Sequence, residues 1–553
     1  MKKYVHFFLL VVVIGILAQL VCGAANVDIY QIAEEIRTEA TRPNNSEIGR
    51  PLPLASHWSP GIWPFRKGYQ GYSPDYQLKL IEKGHKILPW LDFPGNDAPS
   101  YAFEEDYHCP AIKKLNELNL PFVLTTTQWE QDLYRKNEYL NLPAEDNPNV
   151  VNLDGDILSR LSPFGPVEPW REVGRSWGEK DLLPTLQEWY PNPPRVFFLL
   201  NNEANKLWWH EVESLSKRYV DTYGLGHDDD FKRKVVGDGW IERYRAMQEE
   251  MKETLVSLDW QNKATFVGYG AFGPSHFGRW GGWWNYALTT RIDDELRISP
   301  YPLMWDGGSP SYYTAPYSGE RDFKVWSVQI ESMNWVPMLE EALKLNPDFW
   351  FEISVWDGHW ESNNPESLRK YYESLGQTYT PKRYKGMVQY GMWLLRPRAV
   401  REYRGHLERL EDNEEYFMQI VEAVDSVYEN PVLTRFWRKG ELVPNREAEH
   451  QYQVNIPEEY KNVDRWFLLE TDLDPARPWN LNTEIPVFSL ALVLGEKPER
   501  EWLIYAHAPL GMRENVRVTV PEYDAIEIDA TVEGSFYVVN EKTSNIQKVE
   551  LVN

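Results

Sequence analysis

Cysteine is almost absent. The 553-residue chain has two, Cys22 and Cys109. If Cys22 leaves with an N-terminal leader, Cys109 has no intramolecular partner. That excludes a disulfide framework and a Cys-rich zinc centre. Basic charge is also scarce: 58 Lys and Arg stand against 83 Asp and Glu, a net charge of −25 spread along the chain. General binding to nucleic acid or an anionic membrane needs a basic face and is disfavoured. The chain lacks a Gly-rich dinucleotide or P-loop fingerprint, a Gly-x-Ser-x-Gly elbow and a His-Glu-x-x-His zinc motif. Neither cofactor nor metal is expected. Asp228, Asp229 and Asp230 suggest a cation site at first sight, but an acid-rich helix start explains them more simply. Repeats and low-complexity tracts are missing.

The N-terminus is the one long apolar stretch. Lys2 and Lys3 precede an apolar run over 7–21, and small residues follow at 22–25. Residues 1–25 are therefore predicted to be a signal peptide, which makes the protein periplasmic or extracellular. The run is short for a membrane span. A lipid anchor on Cys22 is the other reading, although Gln19 and Val21 fit a lipobox badly.

Aromatic residues are abundant, at 14% with 25 Trp and 32 Tyr. Most pack a core, but flat rings also line sugar clefts. Apolar runs at 51–58, 85–93, 120–129, 196–202, 264–270, 301–306, 350–355 and 386–393 are predicted strands. Helical patterns fall at 27–41, 74–83, 111–118, 228–258, 327–345, 367–375 and 411–428. Ser73 is placed as N-cap, Pro74 as first helical residue and Gly84 as stop. A Pro- and Trp-rich insertion covers 140–194. Eight strands alternating with helices predict an α/β fold, a (β/α)8 TIM barrel with long loop insertions over 26–430. After 431 short alternating runs replace helices. They predict a small C-terminal antiparallel β-sandwich over 431–553.

Two acids stand out. Glu352 lies inside the apolar run 349–356, and Glu203 follows the run 195–200. A carboxylate among apolar residues is costly unless paired or used. Catalytic groups of such barrels sit at the C-terminal strand ends. Strands four and seven face each other, so inward acids there meet over the mouth. Two carboxyls about 5–5.5 Å apart are what retaining glycoside hydrolysis requires. The bland alternative is a salt-bridged core residue or a ligand-positioning group.

Asn202-Glu203 at a strand end resembles the acid/base signature of the clan GH-A retaining (β/α)8 glycoside hydrolases, and Glu352 matches the place of that clan's nucleophile. The resemblance covers roughly residues 51–428. It implies that Glu352 attacks the anomeric carbon, that Glu203 is the acid/base, and that Asn202 contacts the sugar 2-hydroxyl. Departures are the lack of an Arg ending the first strand and Trp305-Asp306 where a Tyr or His is common. Tyr312 is the candidate partner for Glu352. Trp58, Trp129, Trp305, Trp356 and Trp393 are candidate sugar platforms. His276 and Arg279, with Arg66 and Arg321, are candidates for a sulfate or carboxylate on a charged sugar. The expectation is an exported glycosidase acting on a β-linked polysaccharide or oligosaccharide, with a galactan, sulfated or not, such as carrageenan or agar preferred and cellulose-like or mannan-like polymers close behind. A polysaccharide lyase acting on a uronic-acid polymer and a non-catalytic carbohydrate-binding protein are the alternatives. Nothing in the sequence sets an oligomeric state.

Overall fold

The computed structural model describes residues 27–44, 47–55, 74–93, 108–127, 130–180, 182–201, 204–269, 291–293, 296–298, 301–313, 328–329, 332–356, 373, 380–402, 410–445, 466–471 and 487–551. Eight parallel strands form a barrel. In chain order they are Leu52–Leu54, Trp90–Phe93, Phe122–Thr127, Val196–Asn201, Ala264–Tyr269, Gly307–Ser309, Trp350–Trp356 and Ala399–Glu402. Each pairs with its neighbours in the order first, eighth, seventh, sixth, fifth, fourth, third, second. A parallel bridge between Leu54 and Leu88 closes the ring, with Leu88 N donating to Pro53 O at 3.0 Å. Followed around the ring, the pairings return displaced by about eight residues, the shear of a (β/α)8 barrel.

The alternation along each strand sorts its side chains. Phe197 of the fourth strand meets Trp350 of the seventh across the barrel, ring centroids 4.5 Å apart. Trp350, Glu352, Ser354 and Trp356 therefore face inward, while Phe351, Ile353 and Val355 face the helices. The N-terminal helix Ile29–Thr41, capped by Asp28, closes the lower end. Arg195 donates to Ala40 O at 3.0 Å, and Arg398 donates to Glu39 O and Arg42 O at 2.9 and 2.7 Å. Cations at the carbonyl end of a helix satisfy its orphan acceptors. Both guanidiniums also lie over the Trp350 ring.

Two strands differ from the sequence reading. The run 386–393 is not the eighth strand but part of the helix Lys382–Leu395, every residue of which from Arg383 onward is buried. A helix covered on all sides shows no apolar stripe, so its pattern mimics a buried strand. The true eighth strand is the short Ala399–Glu402. The run 301–306 begins with the helical turn Tyr301–Met304, and the sixth strand follows it at Gly307–Ser309. Beyond Pro310, Ser311–Tyr313 continues along the seventh strand. In the helix predicted over 327–345, Pro337 lies in the first turn of Trp335–Leu345, where its missing N–H costs nothing. The acidic run near 228 is a helix start: Asp228 accepts from Phe231 N at 2.8 Å and heads Asp229–Thr254. The insertion is not irregular. It contains a hairpin, Asn149–Val151 with Ile157–Leu161, and the helices Glu168–Gly178 and Leu182–Trp189.

The C-terminal part is an antiparallel sandwich. Glu441–Leu442, Phe488–Leu494, Glu501–His507, Ser535–Asn540 and Asn545–Lys548 make one sheet, and Arg513–Thr519 with Ala525–Ala530 make the other. In the second sheet the period of two is plain: Val516, Val518, Ile526 and Ile528 are buried between exposed or half-buried neighbours. The helix Lys382–Leu395 joins barrel to sandwich through Trp393 against Phe536 and Tyr390 against Phe488. Among the described residues no helix is long and apolar enough to cross a membrane.

Candidate functional site

Glu352 is the third residue of its seven-residue strand, not its last. Its side chain is inside the barrel and 2% exposed. Trp350 Nε1 donates to Glu352 Oε2 at 3.1 Å, and Arg401 Nε lies 3.5 Å from Oε1. Arg401 comes from the eighth strand and is fully buried. Its Nη2 donates to Ser309 Oγ of the sixth strand at 2.7 Å. Its guanidinium also lies 5.2 Å from the Tyr269 ring and 5.9 Å from the Trp90 ring. One cation thus gathers the second, fifth, sixth, seventh and eighth strands. Burial pushes the Glu352 carboxyl above the usual carboxylate range, and Arg401, Ser309 and Trp350 oppose the shift.

Above this pair the strand ends are polar. Tyr269 and Tyr313 share a hydroxyl hydrogen bond at 2.5 Å, Ser311 Oγ donates to Tyr269 Oη at 3.0 Å, and Tyr313 Oη lies 3.4 Å from Ser354 Oγ. Burial raises the Tyr313 phenol to about 12, with Arg401 opposing. Trp356 ends the seventh strand with its ring edge-on to Tyr313, centroids 5.4 Å apart. The arrangement is a buried carboxylate and its cation beneath a layer of hydroxyls and rings.

Other predicted site residues lie elsewhere. Tyr312 does not reach Glu352. It faces outward and donates to Met387 O at 3.2 Å, so the inward tyrosine is its neighbour Tyr313. Trp305 is fully buried outside the barrel, 4.9 Å from the Tyr244 ring, and is not a platform at the mouth. Trp393 is buried against Trp437 and Phe536 at the sandwich and is likewise excluded from the mouth. Glu203, Asn202, Trp58, Trp129, His276 and Arg279 lie outside the described residues, as do Arg66 and Arg321. In the chain, Asn202 and Glu203 directly follow Asn201, the last residue of the fourth strand.

The sequence reading misses Arg401, because it places the eighth strand on a run that is helical. The signal is faint: only Ala399 and Val400 separate Arg401 from Arg398, and Glu402 follows, so the segment does not read as an apolar strand. A second buried ion pair is missed as well. Glu130, after the third strand, lies 3.7 Å from Lys206, after the fourth, and both side chains are 1% exposed. Among the described residues, no group of three His, Cys, Asp or Glu could hold a metal ion.

No family model matches the chain, and no curated protein matches it. Among solved structures, it is similar to a GH27 β-L-arabinopyranosidase from Geobacillus stearothermophilus in complex with arabinose, at 8% identity, 91% and 96% coverage of the two chains, and a TM-score of 0.37. It is also similar to Eubacterium rectale Amy13B, at 9% identity, 93% and 99% coverage, and a TM-score of 0.38. A third is AbfB, a family 51 α-L-arabinofuranosidase from Bifidobacterium longum, at 10% identity, 92% and 94% coverage, and a TM-score of 0.33. At TM-scores this low, the likenesses assign neither family nor activity.

Proposed function

We propose that the chain is an exported retaining glycoside hydrolase acting on a β-linked polysaccharide, with a galactan, sulfated or not, as the preferred substrate. The observation that carries the reading is the Glu352–Arg401 pair, a carboxylate held inside a (β/α)8 barrel beneath a layer of buried tyrosine and serine hydroxyls. In this reading Glu352 is the nucleophile. Burial raises its pKa, and Arg401, Ser309 and Trp350 oppose that shift and favour the charged form that attacks. Glu203 donates its proton to the leaving oxygen, and the glycosyl-enzyme bond forms as the glycosidic bond breaks. Glu203 then takes a proton from water, which displaces Glu352 and returns the anomeric configuration to its start.

One observation favours a second reading. Glu352 is deep in its strand and ion-paired, as a charge-balancing interior residue would be. In that case another acid at the mouth is the nucleophile.

The test is turnover on a polysaccharide panel, read as new reducing ends. The wild type should release them. Glu203→Gln and Glu352→Gln should each lose at least about a hundredfold in kcat, within the range of acid/base and nucleophile losses. Near-normal turnover by either variant would sink its assignment. A new ultraviolet-absorbing double bond in the products would point to a lyase instead.

A further inference from the structure

The segment that follows the fourth strand is clamped from two sides. From the insertion, Leu161 N donates to Asn205 O at 2.8 Å, Leu207 N donates to Leu161 O at 2.9 Å, and Arg160 Nε donates to Lys206 O at 2.8 Å. Arg160 also makes a two-pronged ion pair with Glu211. These bonds fix the backbone of residues 205–207. From the barrel side, the Lys206 ammonium is fixed against Glu130, 3.7 Å away. The helix Asp229–Thr254 completes the set. Its Tyr244 donates from the hydroxyl to Glu130 Oε1 at 3.1 Å, and Lys206 Nζ lies 4.9 Å from the Tyr244 ring centroid.

Two charges buried this fully are a costly way to hold two loops together. Desolvation offsets most of the attraction, and apolar side chains of the same size would stabilise the site as well or better. What the ion pair adds is direction: a bond of defined geometry between the loop after the third strand and the loop after the fourth. Glu130 is the residue after Trp129, and Lys206 is three residues after Glu203. We propose that Glu130, Lys206 and Tyr244 are positioning residues, which set the loop after the fourth strand and through it orient Glu203 for proton transfer. The inference rests on the reading of Glu203 as the acid/base.

A retaining glycosidase needs its general acid only when the leaving group is poor. The experiment compares kcat/KM on the phenyl and 2,4-dinitrophenyl β-glycosides of the sugar that the wild type releases. Lys206→Met should lower kcat/KM on the phenyl glycoside on the order of a hundredfold, and on the dinitrophenyl glycoside by less than about threefold. Tyr244→Phe, which removes one oxygen, should shift the ratio the same way by a smaller factor, and it carries the test if Lys206→Met does not fold. Equal losses on both substrates would mean a merely structural role and overturn the inference. Unchanged kinetics in both folded variants would do the same. A wild type that releases no sugar overturns the functional reading itself, and the inference with it.

Discussion

At the scale of single residues, the barrel interior carries a charge pair where barrels of this kind mostly pack branched aliphatic side chains. Arg401 has no solvent to fall back on, and neither has Glu352. Each is tolerable only because the other is there, with Ser309 and Trp350 taking up further hydrogen bonds. Removing one partner leaves the other buried and uncompensated, which costs about 3–5 kcal/mol. Arg401→Met should therefore lower the unfolding free energy by about that much. Glu352→Gln/Arg401→Met should recover a large part of it, and denaturant titration of the four proteins measures the coupling. Additive losses would mean that the two residues do not act as a pair. The period of two decides chemistry at this scale as well: one step along the chain separates Tyr312, bonded to a helix carbonyl, from Tyr313, which faces into the barrel.

At the scale of elements, the insertion after the third strand has a structural role that its composition hides. Its helix Glu168–Gly178 packs against Asp229–Thr254, with Trp170 edge-on to Trp240 and Tyr244. Gly174 permits this approach, since a methyl group there would overlap the Met247 carbonyl oxygen. In an exposed helix Gly→Ala gains about 1 kcal/mol. Here the clash is with backbone, which cannot turn aside, so Gly174→Ala should instead cost about 1–3 kcal/mol. Thermal denaturation checks the sign, and a raised melting temperature would contradict the packing. Six of the eight strands are legible in the sequence, because Val, Ile, Leu and aromatic runs bounded by turn residues are what buried parallel strands require. The helix Lys382–Leu395 and the Gly307–Ser309 strand are not. The first is buried on every side and loses its stripe. The second is a run of Gly, Gly and Ser that resembles a turn. Without the true eighth strand, Arg401 stays hidden, and so does the partner of Glu352. The acid itself is legible because a lone carboxylate in an apolar run is conspicuous.

At the scale of the whole molecule, the sandwich braces the barrel through the helix Lys382–Leu395. Tyr505 donates to Gly386 O, and Gly386 leaves room for the imidazole of His507. His507 is fully buried there, and burial holds its pKa down at about 3, with Arg383 acting in the same direction and the Val532 backbone opposing. The folded state therefore keeps His507 neutral, while the unfolded chain takes up a proton below about 6.5. The contribution is fully present above that pH. It is lost as pH falls from about 6.5 towards 3, at up to about 1.4 kcal/mol per pH unit. Unfolding free energies at pH 7, 6 and 5 should fall less steeply for His507→Gln than for the wild type, and parallel curves would show that His507 is not the group responsible. The central claim, that Glu352 is the nucleophile of a retaining glycosidase, is tested most directly by trapping the covalent intermediate. A 2-deoxy-2-fluoro glycoside of the released sugar, with an activated leaving group, should add one glycosyl mass to the protein, and peptide mapping should find it on Glu352. An adduct on a different acid, or products of inverted configuration with no adduct, would contradict it.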